Sequence, residues 1–324
     1  MILVVGGAGY IGSHVNKLLH QKNLPTLVFD NLKTGHKNFV KWGNFIEGNL
    51  NNIDDIRKIF KKNKIHAVMH FAANAYVGES IVDPQKYYTN NVSNTINLLS
   101  IMLEHQCKKI IFSSSCAVYG NPVFSPMSEK HPLNPINPYG RTKLIVENIL
   151  QDYQAAYDFR YVSLRYFNAA GADFDLEIGE IHQPETHLIP LVLDVALKRR
   201  DSIDIYGTHY KTYDGTAIRD YIHVVDIARA HYMALEYLNE CKTSNIFNLG
   251  NGKGYSVREI IRAVEEVVGK KIKINLCNRR DGDPSILIGD FKKIKETLGW
   301  YPKVNRINSI IESAWNYHKY KFSK

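Results

Sequence analysis

Seven residues near the start, Gly6-Gly7-Ala8-Gly9-Tyr10-Ile11-Gly12, constrain the fold of this chain more than any other feature because of what flanks them. Before them runs Ile2-Leu3-Val4-Val5, apolar at every position, and after them comes a stretch of helical length reaching Lys22. A glycine turn between a buried strand and a helix is the setting of a dinucleotide site. The glycines permit the tight turn, let backbone N–H groups approach a pyrophosphate at the helix's positive end, and allow helix and strand to pack closely. Gly6, Gly9 and Gly12 are the candidates for these duties, with a ligand-free glycine turn as the plain alternative. Asp30 ends the next strand-like run, about 20 residues past the turn, where a carboxylate hydrogen-bonds ribose hydroxyls and repels a 2′-phosphate. NAD is therefore expected and not NADP. Taken alone, Asp30 fits equally well as the first residue of an Asp-Asn turn.

The glycine turn opens a longer pattern. Apolar, β-rich runs at 2–6, 25–30, 44–48, 66–72, 109–115 and 161–167 alternate with stretches of helical length at 12–22, 54–63, 84–105 and 138–157. This alternation predicts an α/β fold, a Rossmann-type doubly wound parallel sheet, and the continuously apolar strands predict burial on both faces. We assign residues 1–167 to an NAD-binding domain and 168–324 mainly to a smaller C-terminal lobe that binds substrate, with later segments returning to the sheet. In that second part, helices are expected at 191–200, 225–240, 257–268 and 307–320, and strands at 203–207 and 245–249. No internal repeat interrupts the pattern.

Composition narrows the function classes. The formal charge of +9 invites a nucleic-acid reading, but the lysines lie in short scattered pieces among acidic residues, and nucleic acid needs a concentrated basic face. No nucleic-acid partner is expected. Eighteen apolar residues never run together, so no membrane span is expected. The apolar start reads as a strand and not as a signal peptide, which makes a cytoplasmic location the expectation. Cys107, Cys116, Cys241 and Cys277 stand apart, with no C-x-x-C pair and no histidine at metal-ligand spacing, so reduced thiols and no metal are expected.

The chemistry concentrates in the middle of the chain. Tyr139 and Lys143 are four apart and share a helix face. A nearby ammonium lowers a phenol's pKa, and a cationic nicotinamide would lower it further, which makes a tyrosinate usable as a base near neutral pH. Tyr and Lys at this spacing also occur by chance on amphipathic helices. Ser113-Ser114-Ser115 adds weight, because a serine at the carboxyl end of a parallel strand sits where such sheets bind ligands, and Ser115 could hydrogen-bond a reacting sugar oxygen. Loop polarity alone would also account for it.

At this point the residues resemble the UDP-galactose 4-epimerase family of extended short-chain dehydrogenases. The likeness is carried by 6–14, Phe71-Ala72-Ala73, Val77-Gly78-Glu79-Ser80, Tyr87-Tyr88-Thr89-Asn90-Asn91, Val118-Tyr119-Gly120, Tyr139-x-x-x-Lys143 and Leu164-Arg165-Tyr166-Phe167-Asn168. It continues through Asp214-Gly215-Thr216, Arg219 to Val224, Asn248-Leu249-Gly250 and Arg279-Arg280-Asp281-Gly282-Asp283-Pro284, nearly the whole chain. The resemblance implies that Tyr139 is the base, that Lys143 grips the nicotinamide ribose and tunes Tyr139, and that Ser115 assists at the sugar 4-hydroxyl. It implies an NAD lining of Tyr10, Ile11, Asp30, Asn31, Asn49, Leu50, Phe71, Ala72, Ala73, Asn90, Ser113 and Tyr166 beside the glycines. It further implies that Asn168, His187, Leu188, Tyr206, Arg219, Arg280 and Asp283 hold the UDP part, with Leu287 at the sugar pocket. Two arginines suit a diphosphate, an aromatic ring suits uracil, and a carboxylate suits ribose hydroxyls. Without the resemblance, Arg219 reads as pairing with Asp220 or another surface acid and Tyr206 as core. The implied reaction oxidises carbon 4 of a UDP-hexose transiently, turns the 4-keto sugar over, and returns the hydride to its other face.

Some positions depart from the family's pattern. Ala117 stands where many members have a threonine, leaving Ser115 to act alone; Asn49 replaces an acid near adenine; Ala75 replaces a lysine near the cofactor phosphates; and His187 replaces an asparagine at the diphosphate. Dehydratase relatives carry an acid just after the strand serine, and Cys116-Ala117-Val118 has none, so a catalyst for losing the 6-hydroxyl is missing there. Leu287 is intermediate in size at a position that gates N-acetyl groups in the family, so UDP-GlcNAc and UDP-GalNAc are expected among the substrates. A UDP-pentose or UDP-uronate, or a non-catalytic NAD-binding role on the same fold, are the other readings. Relatives also imply a homodimer through helices near 84–105 and 147–157, a buried core face being the plain alternative.

Overall fold

The computed structural model describes residues 1–240, 243–280 and 283–322; Cys241, Asp281 and Gly282 lie outside the described residues. The first half builds β1 (Ile2–Val5), α1 (Tyr10–Gln21), β2 (Thr26–Asp30), β3 (Asn44–Glu47), α2 (Ile53–Lys62) and β4 (Ala67–His70). It continues with α3 (Val77–Val82), α4 (Pro84–Tyr87), α5 (Asn94–Glu104), β5 (Lys109–Ser115), α6 (Pro138–Tyr157) and β6 (Arg160–Tyr166). The second half adds β7 (Asn168–Ala170), α7 (Leu188–Ala196), β8 (Ile203–Tyr206), β9 (Ile218–His223), α8 (Val224–Glu240) and β10 (Asn245–Leu249). It ends with β11 (Gly254–Ser256), α9 (Val257–Val268), β12 (Ile274–Cys277), β13 (Ile286–Leu287), α10 (Lys292–Leu298) and α11 (Ile307–Phe322).

Seven strands form one parallel sheet in the order β10-β6-β5-β4-β1-β2-β3. The strand order reverses between β1 and β4, and ligands of open parallel sheets lie in the crevice at that reversal. The unbroken apolar runs are explained by burial on both faces. Ile2, Val4, Val28 and Met69 face a core completed by Val15 and Leu19 of α1 and by Ile227, Ala234 and Leu235 of α8. Their neighbours Leu3, Val5, Leu27 and Val68 face the opposite core, closed by Ile56 of α2, Leu98 and Met102 of α5, and Val146 of α6. Successive residues point to opposite sides of a strand, so a strand covered on both sides must be apolar throughout.

A third core, with Ile189 and Val192 of α7, Ile260 and Val264 of α9 and Ile310 of α11, belongs to the second half. There β9 pairs with β7, β11 and β13, and β8 pairs with β12. Of these strands the sequence reading expected only β8, at 203–207; β7, β11 and β13, two or three residues long, leave no periodic signal. Segment 84–105, expected as one helix, divides into α4, a π-helical turn Tyr88–Ser93 and α5. The helix expected at 191–200 begins earlier, at Leu188, with Pro190 in its first turn, where a missing N–H costs nothing. No helix among the described residues is long and apolar enough to cross a membrane.

Candidate active site

The three glycines of the turn divide the duties expected of them. Gly6 has φ of +79°, and a Cβ there would stand 2.5 Å from the Ala72 nitrogen, so only glycine lets the end of β1 lie against the segment after β4. A Cβ on Gly12 would stand 2.4 Å from the Gly6 carbonyl oxygen, which fixes Gly12 as the helix-packing position. Gly9 is different. The nearest atom to its virtual Cβ is 3.4 Å away, so no close protein neighbour requires its bareness. As N-cap of α1 it supplies no side-chain hydrogen bond, and the first helical bond runs from Ser13 N–H to the Gly9 carbonyl. The N–H groups of Tyr10, Ile11 and Gly12 are the first donors of a helix and have no partner within it, as a pyrophosphate requires. The Tyr10 side chain itself turns inward, its hydroxyl donating to the Gly171 carbonyl at 2.6 Å, so its contribution toward a cofactor is its backbone.

Asp30 realises both of its sequence readings. Its Oδ1 accepts the Leu32 N–H at 2.9 Å, an Asp-initiated turn, and its Oδ2 accepts the Ala8 N–H at 3.0 Å, tying the end of β2 to the glycine turn. Burial raises its carboxyl above the usual range. Its remaining acceptor capacity is open to ribose hydroxyls. Asn31 lies next to it, its side chain accepting the Lys33 N–H at 3.0 Å. Asn49 and Leu50 follow β3, where Asn49 accepts the Asn51 N–H at 3.1 Å and Leu50 is buried. Phe71 and Ala72 hydrogen-bond through their N–H groups to the Val5 carbonyl, Ala73 follows them, and Phe71 rests on the His231 ring at 4.8 Å. The glycine turn, Asp30 and the Phe71-Ala72-Ala73 segment therefore border one crevice at the sheet's reversal, and their chemistry fits NAD.

Asn90 lies in the π turn, a local form often found at functional sites, with its amide on Asn91 Oδ1 at 3.0 Å. Asn91 anchors the turn: it bonds both ways with Asn74 and donates to Thr142 Oγ1 at 3.0 Å, joining β4's exit to α6.

Asn137 caps α6 by accepting the Gly140 N–H at 2.8 Å, with Pro138 at the first helical position. A Cβ on Gly140 would meet the Ala117 carbonyl at 2.4 Å, so its absence lets the helix start press on the turn that follows Ser115. Ser115 is thereby brought beside the Tyr139 phenol, whose pKa it lowers. Ser115 Oγ also accepts the Ala117 N–H at 3.1 Å. Lys143, 3% exposed, donates to the Ser113 carbonyl at 2.7 Å and stands 5.8 Å from the Tyr139 ring centre. Tyr166, paired in register with Ser115, bonds through its hydroxyl with His231 at 3.1 Å.

The electrostatics refine the expected tuning. Burial pushes the Tyr139 phenol up to about 12, against a lowering hydrogen bond from Ser115. Burial pulls the Lys143 ammonium down to about 7, with Glu147 opposing. Withdrawal from water is the largest influence on both groups in the protein without NAD. Glu147 is committed elsewhere: Arg165 binds it at 2.9 and 2.5 Å and Ser114 at 2.6 Å. This buried network, extended by Tyr119 to Asn248, fixes α6 on β5 and β6 and was not read from the sequence.

The residues expected to hold UDP gather on the second lobe. Asn168 of β7 pairs with Tyr221 of β9, and Leu287 of β13 pairs with Arg219 of β9. Arg219 forms an ion pair with Asp283, whose other oxygen accepts the Tyr210 hydroxyl at 3.1 Å. Asp220 is not its partner; that buried carboxylate accepts N–H groups of Asn251, Gly252 and Gly289. Tyr206 is no core residue: it is 36% exposed, with the Arg280 guanidinium 3.6 Å over its ring. Leu287 packs against the cluster of Val118, Tyr119, Met127 and Phe167, as Cys116 does. His187 caps α7 ahead of Leu188, its Nδ1 2.8 Å from Glu180 and 3.0 Å from Glu185. These two acids were not singled out in the sequence, although both stand within seven residues of His187.

Comparison with known proteins gives concordant matches. Residues 2–250 match the model of the NAD dependent epimerase/dehydratase family. A UDP-glucose 4-epimerase of Halalkalibacterium halodurans is 49% identical over 318 residues, covering 98% of this chain and 95% of that protein. The crystal structure of UDP-glucose 4-epimerase from Brucella ovis in complex with NAD superposes with a TM-score of 0.95 at 49% identity, covering 97% of each chain. The UDP-Glc/GlcNAc 4-epimerase of Campylobacter jejuni superposes with a TM-score of 0.86 at 43% identity, covering 98% of this chain and 99% of that one.

Proposed function

Since this chain belongs to the NAD dependent epimerase/dehydratase family, we infer the chemistry of its crevice from the activity its relatives share and from its own residues. The chain is an NAD-dependent isomerase that interconverts UDP-glucose and UDP-galactose. The single observation that carries this is the near-half identity to UDP-glucose 4-epimerases along 98% of the chain. When bound, NAD supplies a reversible hydride acceptor, so no net oxidation occurs.

In this reading Tyr139 is the base at the sugar 4-hydroxyl. Its partner Ser115 shares that hydroxyl's hydrogen bonding from the carboxyl end of β5. Lys143, anchored on Ser113, presents an ammonium beneath the tyrosine and grips a ribose. A phenol at about 12 is a poor base at neutral pH, and the cationic nicotinamide nearby is what would favour its ionised form. Arg219 and Arg280 would neutralise the diphosphate, with Asp283 released from Arg219 to meet ribose hydroxyls and Tyr206 offering a ring to uracil. Asn168, His187 and Leu188 complete the UDP side. In this reading the hexose lies between Ser115 and Leu287 and turns over there while UDP stays fixed.

Three further proposals rest on narrower support. Leu287, shorter than a tyrosine, leaves room for an N-acetyl group, and the 43% identical Campylobacter jejuni enzyme is described as acting on Glc and GlcNAc forms, so UDP-GlcNAc and UDP-GalNAc are proposed as additional substrates. A homodimer through α5 and α6 is supported by Ile96 and Tyr157, which are 39% and 44% exposed there. A cytoplasmic location is supported by Cys107, Cys116 and Cys277, all free thiols. The direct test of the activity is NMR of UDP-galactose incubated with the protein and no added NAD. UDP-glucose should accumulate; no conversion, even after NAD is supplied, would defeat the reading.

A further inference from the structure

The segment entering α7 reads Glu180-Ile181-His182-Gln183-Pro184-Glu185-Thr186-His187, and it folds so that its two acids and two histidines converge. One ligand-type atom from each lies within 4.8 Å of all the others. Both imidazoles turn Nδ1 inward. His187 Nδ1 is 2.8 Å from Glu180 Oε1 and 3.0 Å from Glu185 Oε1, while His182 Nδ1 is 3.5 Å from Glu180 Oε1 and 3.3 Å from Glu185 Oε2. Each Nδ1 can offer one proton, and both hydrogen bonds go to Glu185. Glu180, only 7% exposed, is left with Oε1 aimed into the cluster and without a hydrogen-bond partner. A buried carboxylate oxygen in that position is costly unless something else satisfies it.

The spacing says what would. Bonds of about 2.0–2.1 Å in a tetrahedron set neighbouring ligand atoms about 3.3 Å apart. The four nitrogen-to-oxygen separations, 2.8 to 3.5 Å, bracket that value, and the whole set lies within 4.8 Å. Two nitrogens and two carboxylates suit a transition-metal dication; calcium and magnesium call for six or more oxygens. The other such cluster among the described residues, Asp173 with Asp175 and Glu177, already surrounds a cation of its own, the Lys17 ammonium at 2.8, 2.6 and 2.7 Å.

We propose that Glu180, His182, Glu185 and His187 form a four-ligand site for one divalent transition-metal ion, zinc by its donor set. The set is closed by protein ligands, so the site is structural. The His182 ring lies edge-on to Tyr10 and to Tyr76, 6.3 Å from each, and His187 caps α7 immediately before Leu188. The ion thus braces the glycine turn against the helix that enters the second lobe. Binding displaces the protons the imidazoles otherwise share with the carboxylates. The sequence expectation of no metal rested on isolated cysteines with no histidine at ligand spacing; it passed over His182 and His187, which are five apart and need no cysteine.

Full-length protein without a polyhistidine tag, NAD-loaded as isolated, is stripped with chelator and titrated with zinc by calorimetry and with cobalt(II) by absorption. One zinc per chain, the intense visible bands of tetrahedral cobalt and a raised unfolding temperature are expected. Glu180→Gln should weaken zinc binding by at least about 10-fold, the loss that even outer partners of a metal site produce. Asp175→Asn, in the neighbouring acidic group, should leave it unchanged. Binding that persists undiminished in Glu180→Gln, or the weak spectrum of free aqueous cobalt with the unmodified protein, would overturn the proposal. The cobalt spectrum needs no variant, so it decides even if Glu180→Gln fails to fold. Every readout is of metal, so the epimerase reading stands or falls separately.

Discussion

The Lys143 ammonium stands 5.8 Å from the centre of the Tyr139 ring and donates to the Ser113 carbonyl at 2.7 Å, so the lysine is positioned by the strand end that also carries Ser115. Burial holds the two groups apart in pKa, the phenol at about 12 and the ammonium at about 7. If Tyr139 is the base, Tyr139→Phe keeps the ring's packing and removes only the proton acceptor. Turnover should fall by about 10²–10⁴, the usual worth of a general base, while NAD stays bound. Single-turnover assays with NAD measured in the same sample check this, and undiminished turnover would assign the base elsewhere.

The glycine turn gives a paired prediction. Gly12→Ala forces a methyl against the Gly6 carbonyl and should cost about 1–3 kcal/mol of stability, as overpacking does. Gly9→Ala meets no protein atom nearer than 3.4 Å, so its stability cost should be the smaller of the two, while its methyl intrudes where backbone would approach pyrophosphate. Unfolding temperature and NAD released on denaturation separate the two effects. Full NAD retention by Gly9→Ala would remove the phosphate role from that position.

His70 supplies a pH prediction. It is buried, bonds to Thr95 Oγ1 at 2.9 Å, and burial, with the nearby Lys143 charge adding, pulls it down to about 3. Above pH 6.5 both folded and unfolded chains hold it neutral, and nothing is lost. As pH falls below 6.5 the unfolded chain takes up a proton that the folded chain refuses, so stability declines with acidity. His70→Gln lacks this uptake, and every other group cancels in the comparison. Denaturant titrations should show the wild type losing about 2 kcal/mol relative to the variant between pH 7 and pH 5. A constant gap would mean that His70 is not held neutral.

Leu287 sits in register with Arg219 on β9 and packs against the same apolar cluster as Cys116, the residue that follows Ser115. Leu287→Tyr should lower the ratio of UDP-GalNAc to UDP-galactose turnover by about tenfold or more, since steric exclusion from a pocket is worth a few kcal/mol. An unchanged ratio would place the gate elsewhere.

The cofactor half was legible because its signals are local. Residues 109–115 and 138–157 were bounded from the sequence as the structure has them, and Asp30 needed only its distance from the glycine turn. The second half was legible chiefly through resemblance: β9, which carries Arg219, pairs with strands of two or three residues that come from distant parts of the chain. Periodicity cannot reveal such pairings. The break in 84–105 was hidden for a different reason, since a π turn held by Asn91's bonds to Asn74 and Thr142 depends on tertiary partners. The burial that pushes the Tyr139 phenol up to about 12 was likewise invisible in the sequence.

The central claim is that the hydrogen on carbon 4 leaves and returns with its electron pair and never enters solvent. Conversion of UDP-galactose in D₂O, with the UDP-glucose product read by ¹H NMR, tests it most directly. The account predicts a full proton signal at carbon 4 of the product. Deuterium at that carbon would contradict it, because the inversion would then proceed by proton exchange.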